Sequence, residues 1–209
     1  MPRQNHRARL IEGALRCIAE RGYAGSTARN IAAAADANLA SIGYHFGSKE
    51  ALLNEALQEG FRRWTAGVAR AVLAADDAEP LERLRISWRE VLDAYGENRP
   101  LLLAFLDALA LAAHDAELRS QLAGHYAEGR QAMAGLIAAS AAGTSVSDEP
   151  TATVLASLLI AIYDGLLVQW VLDPKSTPSA DELADLVEGL FAQRVRPAPL
   201  ERKRMGRRE

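Results

Sequence analysis

The chain has 209 residues, of which 49% are hydrophobic and 24% charged, a balance that suits a soluble globular protein of one or two domains and excludes a disordered chain. Alanine and leucine dominate over aromatic and β-branched residues, so an all-α fold is expected. The single cysteine, Cys17, excludes an internal disulfide and a cysteine-rich zinc site, and with no apolar signal core at the N-terminus a cytoplasmic setting is expected.

The net charge of −3 is unevenly spread. Residues 1–49 hold seven lysines and arginines against three acids, and residues 196–209 hold six against two. The stretch between them is strongly acidic, so a polyanionic partner is expected for the head only.

In chain order, helical spacing recurs throughout. Leu10, Ile11, Ala14, Leu15 and Ile18 mark the inner face of a first helix that Gly22 closes. Ser26 or Thr27 is placed to cap a short second helix, ARNIAAAA. Asp36-Ala37-Asn38 interrupts it, and Asn38 suits the N-cap of a third, LASIGYHF. Ser48 caps a long fourth helix with Leu53, Leu57, Phe61, Trp64, Val68 and Val72 at spacings of three or four. After a polar break, further helices are expected at about 80–97, 100–113, 115–141, 151–172 and 179–194, making about nine. Residues 196–209 read as a disordered basic tail. The stretch VLASLLIAIYDGLLVQWVL approaches membrane-spanning length. Asp164 near its middle would cost about 2.5–3.5 kcal/mol in a bilayer. Burial between protein layers or subunits is therefore expected, with no membrane partner.

Two short helices joined by a tight turn in a basic surround make a helix-turn-helix, here over about 27–46. Around the third helix, at about 100° per residue, Ile42 and Phe46 point one way and Ala40, Ser41, Gly43 and Tyr44 the other. Leu39 and His45 flank them. A face of small side chains can press close to the floor of a DNA major groove. Lys49 opposes the macrodipole at the head of the fourth helix, where an acid such as Glu50 suits local stability better. A phosphate there would reverse that sign, accepting from free N–H groups and pairing with the lysine.

The run GYAGSTARNIAAAADANLASIGYHFGSKEALL resembles the DNA-binding domain of the TetR/AcrR family of transcriptional regulators. The likeness rests on Gly22-Tyr23, Ser26-Thr27, Arg29, Ile31-Ala32, Ala35, His45-Phe46 and Ser48-Lys49-Glu50-Ala51-Leu52, and covers about residues 4–64. Two positions depart from the family pattern. Asp36 stands where the turn usually carries glycine, and Gly43 where tyrosine is frequent, the aromatic here being Tyr44 next door. By resemblance, Thr27 and Arg29 contact phosphates from one side and Tyr44, His45 and Lys49 from the other. Leu39, Ala40, Ser41 and Gly43 then face base edges, with Asn38 nearby.

The resemblance further implies that residues 65–195 form a helical domain that binds a small molecule and dimerises, with two heads about 34–36 Å apart on the operator. Ligand binding would change that spacing and release the DNA, repression being the family default. The pocket is expected among residues 80–172, with Trp88, Tyr95, Phe105, His114, Tyr126, Met133 and Trp170 as candidate lining residues. Asp107 and Asp164 each interrupt an apolar helix, and a buried carboxylate needs a partner. That partner is either a cationic or hydrogen-bond-donating ligand, or an internal arginine among Arg89, Arg99 and Arg130.

The helices at 151–172 and 179–194 of two subunits are expected to form a four-helix dimer interface. Ala152, Ala156, Ala161 and Gly165 would supply close approach, and Leu183, Leu186, Val187, Leu190 and Phe191 one apolar face. Two other functions compete: a ligand-binding dimer that has lost operator binding, for which Asp36 and Gly43 speak, and a helical enzyme. Against the enzyme, His6, His45, His114 and His125 show no H-x-x-x-H or H-E-x-x-H spacing, and no glycine-rich phosphate loop is present. No cofactor and no metal is expected.

Overall fold

A computed structural model describes residues 2–75, 77–140 and 148–194. These form nine helices and no strand: α1 (Pro2–Gly25), α2 (Ala28–Ala34), α3 (Ala40–Phe46), α4 (Lys49–Ala74), α5 (Pro80–Asp93), α6 (Arg99–Ala112), α7 (Ala116–Ser140), α8 (Glu149–Leu172) and α9 (Ala180–Arg194). The tail at 196–209 lies outside the described residues.

The helix ends follow local chemistry. Gly22 takes φ 71°, which breaks the regular geometry of α1 and turns Tyr23 into the core. Of the two capping candidates, Thr27 caps α2, its side chain accepting from Asn30 N at 3.2 Å. Ser26 is instead fully buried and donates to the Gly22 carbonyl at 2.7 Å. Leu39, not Asn38, stands at the N-cap of α3 and offers no side-chain bond; Asn38, one residue earlier, closes the turn through Oδ1, which accepts from Ala40 N at 2.9 Å. Ser48 caps α4, accepting from Ala51 N at 3.0 Å. The helix expected to reach residue 97 stops at Asp93. A turn over 94–98 follows because Tyr95 is drawn into the core, Gly96 weakens helix, and Asn98 Nδ2 closes back on the Ala94 carbonyl at 2.9 Å.

One core runs through head and body. Leu10, Ala14 and Ile18 of α1, Ile31 of α2, Ile42 of α3 and Leu52, Leu53 and Leu57 of α4 pack together. The same cluster continues into Ala104 and Ala108 of α6 and Leu118 and Leu122 of α7. Each such leucine contributes about 1.5–3 kcal/mol by leaving water. The long α4 passes from the helix-turn-helix into the body, so the two parts share an element as well as a core.

Gly13 lets α1 touch the end of α2. A Cβ there would sit 2.9 Å from Ala35 Cβ and 3.0 Å from the Ile31 carbonyl oxygen. Both neighbours are held by backbone, so Gly13→Ala is expected to destabilise the protein by about 1–3 kcal/mol. A thermal unfolding midpoint measures this, and an unchanged midpoint would contradict the close packing.

Further along, α5 packs on α9 through Trp88 against Ala180 and Ala184. Arg85 reinforces the contact, reaching Asp181 at 2.9 Å and Asp185 at 3.2 Å. Ala152 and Ala156, expected at a dimer surface, pack against Ala134 of α7 and are buried within the chain. Small residues let α8 approach its own neighbour there. Ala161 and Gly165 do face outward. The apolar set on α9 divides: Leu183 and Val187 lean on the Trp88 cluster, whereas Leu186 and Leu190 are exposed. The Phe191 side chain lies outside the described residues.

Candidate nucleic-acid interface and ligand site

Caps and a buried seam present α3 as expected. Ile42 is buried and Phe46 half-buried toward the core, while Leu39, Ala40, Gly43 and Tyr44 are exposed. Tyr44 is 69% exposed, an unusual position for a ring with no partner on its outer face. It packs edge-on against the half-buried His45, centroids 4.9 Å apart. Thr27, Arg29 and Asn38 are exposed and Ser41 half-buried, so all ten sequence candidates belong to α2, α3, their turn or the head of α4. A Cβ added at Gly43 would meet nothing within 4 Å, so this glycine is not demanded by packing.

Lys49 sits at the first position of α4 with its Nζ 3.2 Å from Glu50 Oε1. The neighbouring acid thus answers the charge that opposes the helix dipole, and a phosphate would compete with Glu50 for it. Part of the basic excess of the head is also engaged internally. Arg7 pairs with Glu55, Arg9 with Asp36 at 2.8 Å, and Arg16 donates to the Ala34 carbonyl.

In the body, five of the nine pocket candidates converge. Tyr95 stacks near Trp170 with centroids 5.4 Å apart, and Phe105 lies 6.2 Å from Tyr126. Two rings of α4, read only as a core stripe, complete the cluster. Phe61 lies 5.2 Å from Phe105, and Trp64 lies 5.9 Å from Tyr95. Spacing along α4 could not reveal this, because the ring partners come from α6 and from the turn after α5.

Asp164 borders the same cluster. Its partner is the Tyr126 hydroxyl, donating at 2.8 Å, and not one of the three arginines; Arg89 pairs with Asp181 at 3.0 Å. Burial pushes the Asp164 carboxyl above its ordinary value of 3.8, and the tyrosine bond only partly offsets this. Tyr95 donates to the Tyr163 carbonyl at 3.2 Å. The Trp64 indole N–H is buried without a partner among the described residues. The other four candidates lie elsewhere. Trp88 belongs to the α5–α9 contact and Met133 to the α7–α8 contact. His114 and Asp107 are exposed; Asp107 is therefore solvated and needs no buried partner. A surface cavity of about 430 Å³ lies between α1, α4 and the start of α6; of the aromatic cluster, Trp64 borders it.

A buried polar chain joins the head to α7. Tyr23 donates to Asn54 Oδ1 at 2.7 Å, and Asn54 Nδ2 donates to Gln121 Oε1 at 2.6 Å. Burial pushes the Tyr23 hydroxyl up to about 12, so it remains a donor. Sequence reading missed this chain, since an asparagine in a helical apolar run carries no mark of its partners.

Comparison with known proteins agrees with both halves. Residues 10–56 match the family described as bacterial regulatory proteins, tetR family, and residues 80–204 match the C-terminal domain of BetI-type transcriptional repressors. The chain is 30% identical over 196 residues to the HTH-type transcriptional regulator BetI of Burkholderia mallei, covering 92% of this chain and 97% of that one. Among solved structures, a transcriptional regulator of Saccharomonospora viridis in complex with choline superposes with a TM-score of 0.63 at 25% identity, covering 91% and 97% of the two chains. The multidrug binding protein EbrR complexed with proflavin gives 0.60 at 27% identity, covering 88% and 99%.

Proposed function

Because the chain belongs to the TetR family of transcriptional regulators, we propose that it binds its operator as a homodimer and is released by a small organic cation lodged in the aromatic cluster beside Asp164. The chain is a ligand-responsive DNA-binding regulator. On the DNA side, the exposed Leu39, Ala40 and Gly43 and the half-buried Ser41, at the start and outward face of α3, support base contact by these four. Thr27, Arg29, Tyr44, His45 and Lys49 take phosphates on either side, with Asn38 at the turn.

For the dimer, α8 carries an outward stripe of Val154, Leu158, Ala161, Gly165, Val168 and Leu172, and α9 adds Leu186 and Leu190. A second copy covers it with the same stripe. A membrane is the less suited occupant: α8 is long and apolar enough to cross one, yet it packs along α7 and carries Asp164.

The observation that carries the ligand reading is the juxtaposition of Asp164 with the rings of Tyr95, Phe105, Tyr126 and Trp170. An ammonium is attracted both to aromatic faces and to a carboxylate that burial has left under-compensated. The unpartnered Trp64 N–H adds a donor for an oxygen on the same ligand. Choline and proflavin, bound by the two similar proteins, both suit that chemistry. The rings are closely packed here, so a ligand must favour a state in which they part. A ligand shifts an equilibrium only by its differential affinity for the two states. α7 carries both Tyr126 and Gln121, so its displacement would reach Asn54 and Tyr23 in the head. Titrating choline, then proflavin, into a complex of the protein with its own upstream DNA tests this. Release is expected with at least one of them, and retention of DNA at saturating levels of both would overturn the cationic reading.

A further inference from the structure

The turn between α2 and α3 carries Asp36 at φ 47°, the one non-glycine residue with positive φ among those described. Such a conformation is several-fold enriched in Asp over most residues but remains unfavourable without support. Here the support comes from α1. Arg9 Nε and Nη2 donate to the Ala35 carbonyl at 3.1 and 2.7 Å. Nη2 also reaches the Asp36 carbonyl, and it meets Asp36 Oδ2 at 2.8 Å. Further along the helix, Arg16 donates to the Ala34 carbonyl, and Gly13 between them gives the backbone approach already described. The residues 9, 13 and 16 share one face of α1. Arg7, close by, stacks on the Phe46 ring at the far end of α3, 5.1 Å from its centroid.

We propose that Arg9 is a positioning residue for operator recognition, holding Asp36 in the left-handed turn and so fixing the angle of α3 against α2. It rests on the operator-binding reading above. α3 has seven residues and is too short to hold itself in place. Its direction is decided where the turn is anchored, and the anchor is a guanidinium fork that a lysine cannot reproduce. Arg9 commits Nε and Nη2 to the turn. A glycine in place of Asp36 would reach the same φ unaided. The need for Arg9 is therefore tied to the aspartate that stands in the glycine's place.

The test uses duplexes that the full-length parent selects from a random pool, with an unselected duplex as control. Arg9→Met is expected to weaken selected-site binding by about tenfold, as a misplaced base contact does. Binding to the unselected duplex should change by no more than about threefold. Arg9→Lys should fall between parent and Arg9→Met. In the Asp36→Gly background, where the turn relaxes, removing Arg9 should cost less than about threefold, a non-additivity expected only of coupled residues. Equal losses on both duplexes would make Arg9 a plain phosphate contact and overturn the proposal, as would equal losses in the parent and Asp36→Gly backgrounds. Amide hydrogen exchange over residues 36–42 without DNA separates the two levels of argument. A parent that selects no duplex overturns the operator reading, whereas unchanged exchange in Arg9→Met overturns the role of Arg9. Should Arg9→Met not fold, the Asp36→Gly background and Arg9→Lys supply the same comparisons.

Discussion

A Leu158→Glu variant is expected to be monomeric and to bind its operator about 10²–10⁴-fold more weakly than the parent. Leu158 is 56% exposed in the single chain, in line with Val154, Ala161, Gly165 and Val168 on α8. A two-fold interface uses the same stripe from each copy, so one substitution puts two carboxylates into one apolar seam. Burying such charges without partners is far costlier than losing the leucine contacts. The folded monomer loses nothing, because the side chain belongs to no buried cluster. Each head would still meet a half-site, but the second contact would no longer be intramolecular, and that linkage accounts for the large factor. Sedimentation and a mobility shift at one fixed salt concentration check the two halves together. A dimeric variant with parent affinity would place the interface elsewhere.

Asp164→Asn is expected to lower the affinity for choline or proflavin by at least about 30-fold, the usual consequence of removing one side of a buried charge pair. The amide still accepts from Tyr126, so the local geometry survives while the charge is lost. The same substitution should stabilise the unliganded protein at neutral pH. Asp164 has its folded pKa raised above the ordinary 3.8 by burial. Below the ordinary value it is protonated in both states and contributes nothing. As the pH rises through that value and on through the raised one, the unfolded chain ionises more readily, so the group destabilises the fold. Asparagine removes that penalty in the upper range only. Choline, whose charge does not titrate, should by linkage bind the parent more tightly as the pH rises through the same window. It should bind Asp164→Asn with little pH dependence. Fluorescence titration at several pH values measures both, with Trp64 and Trp170 as reporters. A parent and variant with superimposable titrations would remove Asp164 from the ligand site.

Much of the head was legible before any fold was known. Ser48 announces its cap through residue type alone, and Ile42 with Phe46 show their inward face through spacing, whereas the cap of α2 was legible only as Ser26 or Thr27. Asp36, which stands where the turn usually carries glycine, takes the left-handed conformation at φ 47°. What holds it there was not legible, because Arg9 lies 27 residues away and an arginine on a helix surface looks the same whether it grips a carbonyl or faces solvent. The body shows the same divide more strongly. Asp107 and Asp164 have equivalent patterns, each a carboxylate inside an apolar run, yet one is exposed and the other sits against Tyr126. The difference arises from which neighbour covers each helix face.

Taken alone, the sequence determined the all-α class, the succession of helices among the described residues, the helix-turn-helix and the apolar character of α8 and α9. These depend on propensity, capping and periodicity, which act over three or four residues. Only the tertiary structure decided that Phe61 and Trp64 join the aromatic cluster, that Asn54 links Tyr23 to Gln121, and that Ala152 and Ala156 face inward while Leu158 faces out. Those outcomes depend on contacts between residues far apart in the chain, and such contacts are selected by the packing of whole helices against one another, which local spacing does not encode.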